Sequence, residues 1–183
     1  MDPDKTFTAF ASDRIVAAGT MADMLRAVKR HLDRHPDAGV LIFDDQTGQQ
    51  VDFDLRGRLD DVLARETPPA PGPGRPRLGV ISREVSLLPR HWEWLEQQPN
   101  GISAALRRIV DEASKRNPDA QRARRARDAA SRVMTALAGD RPGFEEASRA
   151  LFAGDHARLQ SLTRRWPIGL RRHLARLLAM PSP

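Results

Sequence analysis

The chain has 183 residues, with 30 Lys and Arg, 24 Asp and Glu, and neither Cys nor Tyr. This length has room for one or two small domains. The lack of Cys and Tyr excludes disulfides, thiolate metal sites and Cys or Tyr nucleophiles. No apolar run reaches the roughly 18 residues that cross a bilayer, and no signal-like start is present. We therefore expect a cytoplasmic protein with no membrane partner.

Charge is distributed unevenly along the chain. Residues 1–66 hold 9 basic and 13 acidic side chains, residues 67–117 hold 8 and 5, and residues 118–183 hold 13 and 6. Beyond the linker the basic residues are almost all Arg, which suits bidentate phosphate contacts. These counts predict an acidic N-terminal unit and a basic C-terminal domain with a polyanionic partner.

Residues 1–66 are predicted to form a small α+β unit. Two short strands, 6–11 and 14–18, flank a turn at Ser12 and Asp13. A helix over 21–35 follows, with Thr20 as its cap. The apolar stripe of this helix consists of Met24, Leu25, Val28 and Leu32.

A β-hairpin is predicted next, with strands over 39–44 and 50–55, followed by a short helix over 59–65. In the second strand apolar and charged residues alternate, which is typical of a strand with one buried face. The acids could suggest a metal site, but the alternating oxygen ligands and closing Glu of a calcium loop are absent. We therefore expect a solvated hairpin face made of Asp44, Asp45, Asp52 and Asp54.

His31 and His35 are four residues apart, the spacing that lets two imidazoles on a helix share a metal ion. No Glu, Cys or third His is placed to complete the set. We expect two surface histidines, and no metal or cofactor.

Residues 67–77 are predicted to be a stiff, basic, Pro/Gly-rich linker, because the run TPPAPGPG favours neither helix nor strand. The linker ends in Gly74-Arg75-Pro76-Arg77, which resembles the core of an AT-hook. That resemblance implies that Arg75 and Arg77 lie along the minor groove of A·T-rich DNA. A linker that is basic without contacting DNA is the alternative.

A strand, a short helix and a longer helix are predicted over residues 78–117. Apolar and polar residues alternate through 78–88, and Pro89 is well placed in the first turn of a helix that extends to residue 98. Residues 99–101 break the chain, and Ser103 can cap a second helix. Its apolar positions are Leu106, Ile109, Val110 and Ala113.

This order resembles the ribbon-helix-helix class of DNA-binding proteins, in which two chains pair their strands and the resulting ribbon enters the major groove. The resemblance implies a homodimer paired through residues 82–88. Backbone amides near Ser103 would hold a phosphate. The other DNA contacts would come from Ser82, Arg83 and Ser86 on the strand and from Arg107 and Arg108 on the second helix. The alternative is a strand and two helices in the core of an α+β domain.

Residues 118–183 are predicted to be helical. A helix over 119–138 carries Arg122, Arg124 and Arg125 in its first half, where arginines oppose the helix dipole and a phosphate partner would suit them. Three shorter helices follow, over 143–152, 155–165 and 167–180. Their shared core would be Phe144, Leu151, Phe152, Leu159, Leu162, Trp166, Leu170, Leu174 and Leu177. The polar side of the last helix would carry Arg171, Arg172 and Arg176.

Three stretches, LIFDDQTGQQVDFDLRG, GVISREVSLLPRHWEWLEQQPNGISAALRR and AGDRPGFEEASRALFAGDHARL, are similar to those of a bacterial family defined as a domain of unknown function. The resemblance covers nearly the whole chain. It implies a bacterial, cytoplasmic protein and implies no activity.

The leading hypothesis is a dimeric DNA-binding protein, either a transcriptional regulator or a nucleoid-associated protein. The alternative is a protein-protein adaptor with no role in nucleic-acid binding, which would contact its partner through Trp92 or Trp94 and the arginine-rich helix. We do not expect an enzyme, because the chain has no Gly-rich phosphate loop, no nucleophile elbow and no metal-ligand set, and its five His residues have no local acid-base context.

Overall fold

A computed structural model describes residues 5–66 and 83–179 of the chain. It divides into two compact units, one formed by Met1–Pro69 together with Arg122–Pro183, and the other by Ala70–Gln121. The described residues contain a three-stranded antiparallel sheet and eight helices, which confirms the α+β class. The strands are β1 (Thr6–Ala11), β2 (Arg14–Thr20) and β3 (Val40–Asp44), in the order β2-β1-β3. The helices are α1 (Met21–Arg34), α2 (Leu59–Glu66), α3 (Pro89–Glu96), α4 (Ile102–Arg116), α5 (Pro118–Ala138), α6 (Phe144–Ala153), α7 (His156–Leu162) and α8 (Ile168–Ala179).

The first elements of the first unit, β1, β2 and α1, form where the sequence predicts them. Strands β1 and β2 pair across a tight turn in which Ser12 has a φ of 50°, and a β-bulge shifts their register between Ala9 and Phe10. The Thr20 hydroxyl accepts a hydrogen bond from the Asp23 N–H, at 3.3 Å, and so caps α1. This contact confirms Thr20 as the helix cap.

The central strand β1 is buried on both faces. Phe7 and Ala9 belong to one core cluster, in which they pack with apolar residues of α1, including Met24 and Leu25. Phe10, of the opposite parity, belongs to a second cluster, whose other members come from β3 and from helices α5 to α8. The sheet therefore lies between α1 on one side and the C-terminal helices on the other.

The helices after residue 118 form close to the predicted bounds, and Asp155 caps α7 by accepting from the Arg158 N–H at 2.9 Å. The predicted core residues from Leu151 to Leu177 are buried or partly buried in the second cluster, and so is Phe144. Phe152 is the exception, because 52% of its surface is exposed. Phe152 follows the buried Leu151 directly, and a step of one residue turns a side chain by about 100° around a helix.

The second strand of the predicted hairpin does not form. Gln50 makes an isolated bridge to Phe43, and the Val51 amide donates to the Ile42 carbonyl at 2.8 Å, but no strand continues over residues 52–55. Phe53 and Phe7 pack edge to face, with ring centroids 5.7 Å apart, so this segment contributes to the core cluster of Phe7 although it forms no strand. Burial of the alternating apolar residues is therefore retained without strand pairing.

The strand predicted over residues 78–88 also departs from its prediction. Residues 83–88 form no strand within this chain, and residues 78–82 lie outside the described residues. An extended segment has strand hydrogen bonds only where another edge pairs with it, and no such partner occurs in the described chain. The cap assigned to Ser103 is also wrong. Gly101, with a φ of 78°, takes the N-cap position of α4, since the helix begins at Ile102.

Candidate functional site

The described residues predicted to contact DNA in the second unit are exposed to solvent. Arg83 and Ser86 lie in the extended segment before α3, and Arg107 and Arg108 lie on α4. Ser103 is exposed in the first turn of that helix. Three predicted contacts, Arg75, Arg77 and Ser82, lie outside the described residues.

The start of α4 presents free backbone donors. The amides of Ala104 and Ala105 donate to the Gly101 carbonyl, at 3.2 and 3.1 Å. The amides of Ile102 and Ser103 lie in the first turn, where no preceding carbonyl of the helix can accept from them. They donate to no backbone carbonyl among the described residues. This is the geometry in which a helix N-terminus binds a phosphate.

The arginines on α4 have weak local partners. Arg107 donates through Nε to the Ser103 carbonyl at 3.1 Å, a contact that leaves its charge uncompensated. Arg108 lies 4.0 Å from a carboxylate oxygen of Glu112 and donates to the Gln98 side chain at 3.3 Å. The surface of α4 therefore mixes charges, with a cationic contribution from Arg107.

Helix α5 carries the predicted cluster of arginines in its first half. Arg124 and Arg125 are exposed, and Arg122 is half-buried. Arg124 forms a loose ion pair with Asp128, at 3.9 Å, and the Arg124 side chain is 81% exposed. Pairs this exposed contribute little to stability, so Arg124 can exchange its partner for a phosphate at small cost.

The second unit also exposes large apolar side chains. Val110 on α4 is 62% exposed, and Trp94 on α3 is 49% exposed, while Trp92 is half-buried. Within the described part of the unit, the fully buried residues are Leu95 and Ala105. The exposed set is Val85, Leu88, Trp94, Ile109 and Val110.

A polar cluster that the sequence did not predict lies inside the first unit. The predicted solvated face is wrong for two of its four acids, because Asp44 and Asp45 are buried. The Asp45 carboxylate accepts hydrogen bonds from Thr6 and Thr8, at 2.8 and 2.7 Å. Arg176 of α8 donates to it at 2.9 Å and also donates to the Thr8 hydroxyl. Burial of Asp45 is therefore compensated by one positive charge and two hydroxyls.

The neighbouring Asp44 fixes the turn after β3. One of its carboxylate oxygens accepts from the amides of Gln46 and Thr47, at 2.8 and 3.1 Å, and the other lies 2.8 Å from the Lys5 ammonium. An Asp that caps its own turn in this way is typical of turn sequences such as DDQTG. This pattern is the signal that could have shown that these acids are structural.

His173 completes the polar cluster. Its Nδ1 lies 3.1 Å from an Arg176 nitrogen, which can only donate, so the neutral ring carries its proton on Nε2. That Nε2 lies 3.9 Å from Asp45, too far for a hydrogen bond. Burial lowers the pKa of His173 to about 4; the Asp45 charge opposes this shift, and the Arg176 charge adds to it. The ring is buried away from solvent and lies between Phe10 of β1, Asp45 in the turn after β3 and Arg176 of α8.

The arrangement of the described residues also bears on metal and membrane sites. Across residues 5–66 and 83–179, no three His, Asp or Glu side chains are grouped so that they could hold a metal ion. The rings of His31 and His35 lie beside each other at a tilt of 45°, with centroids 4.9 Å apart. In the same ranges, no helix combines the length and apolar character that a membrane span requires.

A family of bacterial proteins, described as "Uncharacterized protein conserved in bacteria (DUF2239)", matches residues 6–178 of the chain. The chain belongs to the DUF2239 family. The match covers both compact units, so the sheet, the helix pair α3–α4 and the C-terminal helices all lie within the DUF2239 region. Comparison with curated proteins and with solved structures found no match.

Proposed function

We propose that the protein binds DNA as a homodimer, through the segment that leads into α3, the α4 helix and the arginine-rich start of α5. The observation that carries the proposal is the small core of the described part of the second unit, residues 83–121. This part buries Leu95 and Ala105 while Val85, Trp94 and Val110 stay exposed. Two buried side chains are too few to offset the conformational entropy lost by ordering two helices and their lead-in segment.

A second copy of the chain would complete that core. In ribbon-helix-helix dimers the strands pair between chains and the helices pack across the two-fold axis. Residues 83–88 have no strand partner within the described chain, and only the Leu88 carbonyl, which accepts from His91 and Trp92, makes a backbone hydrogen bond to another described residue. The rest of the segment can therefore pair with the same segment of a second copy. Pairing through residues 82–88 would cover Val85 and Leu88 and bring two α4 helices together.

The charges support DNA as the partner of this dimer. Arg107 has no carboxylate partner among the described residues, and the amides of Ile102 and Ser103 are open beside it. Arg124 and Arg125 on α5 are exposed, within a C-terminal region that carries 13 basic and 6 acidic side chains. Phosphate contacts of this kind would position the protein, and base contacts from the paired segment would provide sequence preference.

Fluorescence anisotropy with labelled A·T-rich and mixed-sequence duplexes tests the proposal. For the natural protein, log K should fall linearly with log salt, by about 0.9 for each phosphate neutralised. The variant Arg107→Gln, Arg108→Gln should bind more weakly and with a slope smaller by about 2. The matched control is Arg149→Gln, Arg158→Gln, which removes two exposed charges from α6 and α7 and should leave the slope unchanged.

The same experiment tests whether Arg75 and Arg77 of the linker contact the minor groove. Arg75→Ala, Arg77→Ala should lose affinity for the A·T-rich duplex more than for the mixed duplex, because the narrow A·T minor groove concentrates negative potential. Affinity that does not change with salt, or equal slopes for the Arg107, Arg108 variant and its control, would contradict DNA binding through the second unit.

A groove between α7 and α8 favours the adaptor as a second candidate. Its volume is about 480 Å³, and its walls combine Leu159, Ile168 and Leu178 with the basic residues Arg171 and Arg172. Ile168 is 57% exposed at this site. Apolar walls with a basic rim are complementary to an amphipathic segment that carries acidic residues.

The adaptor candidate predicts a protein partner that stays bound after nuclease treatment. Ile168→Glu should abolish its retention in an affinity pull-down, because the new charge lies in the groove and repels acidic residues. Phe152→Glu, at an exposed apolar residue of α6 outside the groove, should retain the partner. Equal retention by both variants would place the partner elsewhere.

A further inference from the structure

A second groove, lined by basic residues, lies in the first unit between strand β2 and helix α1. Its volume is about 550 Å³. The groove has apolar walls formed by Ala11, Ile15, Val16 and Ala27. The basic residues that line it are Arg14, Arg30, His31, Arg34 and His35. No predicted DNA contact lies in this groove.

The guanidinium groups of this groove lack counter-charges. In the described parts of the chain, no carboxylate lies within 4.0 Å of Arg14, Arg30 or Arg34. Other basic residues of the same segment are paired. The pairs are Lys5 with Asp44, Arg26 with Asp23, Lys29 with Asp33, and Arg56 with Asp54. The Arg58 guanidinium, outside the groove, also has no carboxylate within 4.0 Å among the described residues, but it stands alone, whereas the groove brings together three such arginines.

The groove's cations also repel one another. Arg30 and Arg34 are one helical turn apart, a spacing at which like charges destabilise a helix. The C-terminal end of the α1 dipole offsets part of this repulsion at Arg34. A bound anion would remove the rest. Arginines without carboxylate partners that line one groove are suited to bind a phosphate, because the guanidinium fork matches its oxygens.

We propose that this groove binds the phosphate of a small phosphate ester of about mononucleotide size. Arg30 and Arg34 from α1 and Arg14 from β2 hold the phosphate oxygens. The apolar wall formed by Ile15, Val16 and Ala27 contacts the organic part of the ligand. A volume of about 550 Å³ lies within the range of small-molecule sites, roughly 300–1,000 Å³.

The size of the groove favours a small ligand over a nucleic-acid backbone. Its volume of about 550 Å³ suits one phosphate group with a small organic part. A duplex presents a long row of phosphates, and three arginines within one groove do not follow such a row. This site is separate from the DNA contacts proposed above.

Isothermal titration calorimetry on the full chain tests the proposal, with inorganic pyrophosphate, ADP and a 20-base-pair duplex as probes. ADP should bind, and pyrophosphate should bind more weakly because it lacks the part that contacts the apolar wall. Arg30→Gln, Arg34→Gln should weaken ADP binding by tenfold or more. Arg26→Gln is the matched control, since Arg26 lies on the same helix outside the groove and pairs with Asp23.

Arg14→Gln provides a second variant on a different element, in case the double variant does not fold, and circular dichroism verifies folding in each case. It should also weaken ADP binding, by several-fold. No ADP or pyrophosphate binding at millimolar concentration would overturn the proposal, as would ADP affinity unchanged in both groove variants. Duplex binding that depends on Arg30 and Arg34, without ADP binding, would assign the groove to nucleic acid and overturn the small-ligand site.

Discussion

His173 is a neutral side chain at pH 7, buried where a charge would be poorly solvated. The edge of its ring meets Phe10, with centroids 5.4 Å apart, and its Nδ1 accepts from Arg176. Burial makes the largest contribution to its low pKa, and the Arg176 charge disfavours a second positive charge beside it. The ring thus joins α8 to the sheet only in its uncharged form.

This gives the first prediction, on pH. The pKa of His173 falls from 6.5 to about 4 on folding, so the unfolded chain takes up the proton first. The contribution of His173 to stability should be unchanged above pH 6.5 and should fall as the pH drops from 6.5 to 4, by on the order of 3 kcal/mol. Urea unfolding of the natural protein and of His173→Leu, at several pH values in this window, should show the smaller pH dependence in the variant.

His156 provides the control, because it is exposed on α7. His156→Gln should keep the pH dependence of the natural protein. If His173→Leu has the same pH dependence as the natural protein, the buried ring does not titrate in this window, and the assignment fails.

Gly48 is constrained by its φ of 67° and by a close backbone contact. A Cβ at this position would lie 2.5 Å from the Cα of Ala129 on α5 and would also overlap the carbonyl of that residue. Neither backbone can give way without moving an element. The turn after β3 can therefore pack on α5 only if residue 48 has no side chain.

The second prediction compares two glycines. Gly48→Ala should destabilise the protein by at least about 3 kcal/mol, because left-handed strain and a backbone clash add together. Gly57→Ala, at a φ of 87°, would place its new Cβ 3.4 Å from the nearest atom and should lose only the strain term, about 1–2 kcal/mol. Thermal unfolding measures both, and equal losses would mean that the turn can move away from α5.

At the scale of elements, the sequence predicted the helices whose limits are set by residues close to them in the chain. Thr20 and the stripe from Met24 to Leu32 predicted α1, and Pro89 predicted the start of α3. The strand predicted over 50–55 failed because alternation reports a buried face, and Phe53 achieves its burial over Phe7 without a ladder. Alternation alone cannot distinguish these two outcomes.

The third prediction concerns α4. If a second copy covers the exposed face of the α3–α4 pair, Val110→Lys should convert the dimer to a monomer, because a charge cannot be buried there without a partner. The monomer should also lose helix content, because α3 and α4 bury too little surface to stay ordered without the second copy. Sedimentation velocity reports the mass, and circular dichroism the helix content. Glu112→Lys introduces the same side chain on the opposite side of α4 and should remain dimeric. A natural protein that is monomeric at all concentrations would contradict the dimer.

At the scale of the whole molecule, the first unit is assembled from both ends of the chain. The face of the sheet that carries Phe10 and Phe43 is covered by residues after 129, and Asp45 meets Arg176, 131 residues later. Contacts between such distant segments leave no periodic signal in the sequence. His173 is the partial exception, because it occupies an apolar position on α8 between Leu170 and Leu174.

The two candidate sites differ in how far they could be predicted. Exposure of Arg107 and Arg108 follows from the apolar period of α4, so the sequence predicted that part of the proposed DNA contact surface. The basic groove was missed, because Arg14 comes from β2 and Arg30 and Arg34 from α1. Only the packing of α1 across the sheet brings these residues together, within a segment whose composition is acidic.

The fourth prediction tests the shared core. Residues 1–66 expressed alone should show no cooperative thermal transition, because Phe10 and Phe43 lose their cover and Asp45 loses Arg176. Co-expression with residues 118–183 should restore a cooperative transition and co-purification of the two fragments. A fragment 1–66 that unfolds cooperatively by itself would show that one face of the sheet is sufficient.

The contact between Asp45 and Arg176 cannot form until late in the synthesis of each chain. A ribosome adds about 5–20 residues per second, so roughly 7–26 s separate the synthesis of the carboxylate from that of its guanidinium partner. During this interval the strands exist without the helices that cover one face of the sheet. Nascent chains are thus exposed to misassociation on polysomes, and chaperone capture of the first strands would serve this protein until α8 emerges.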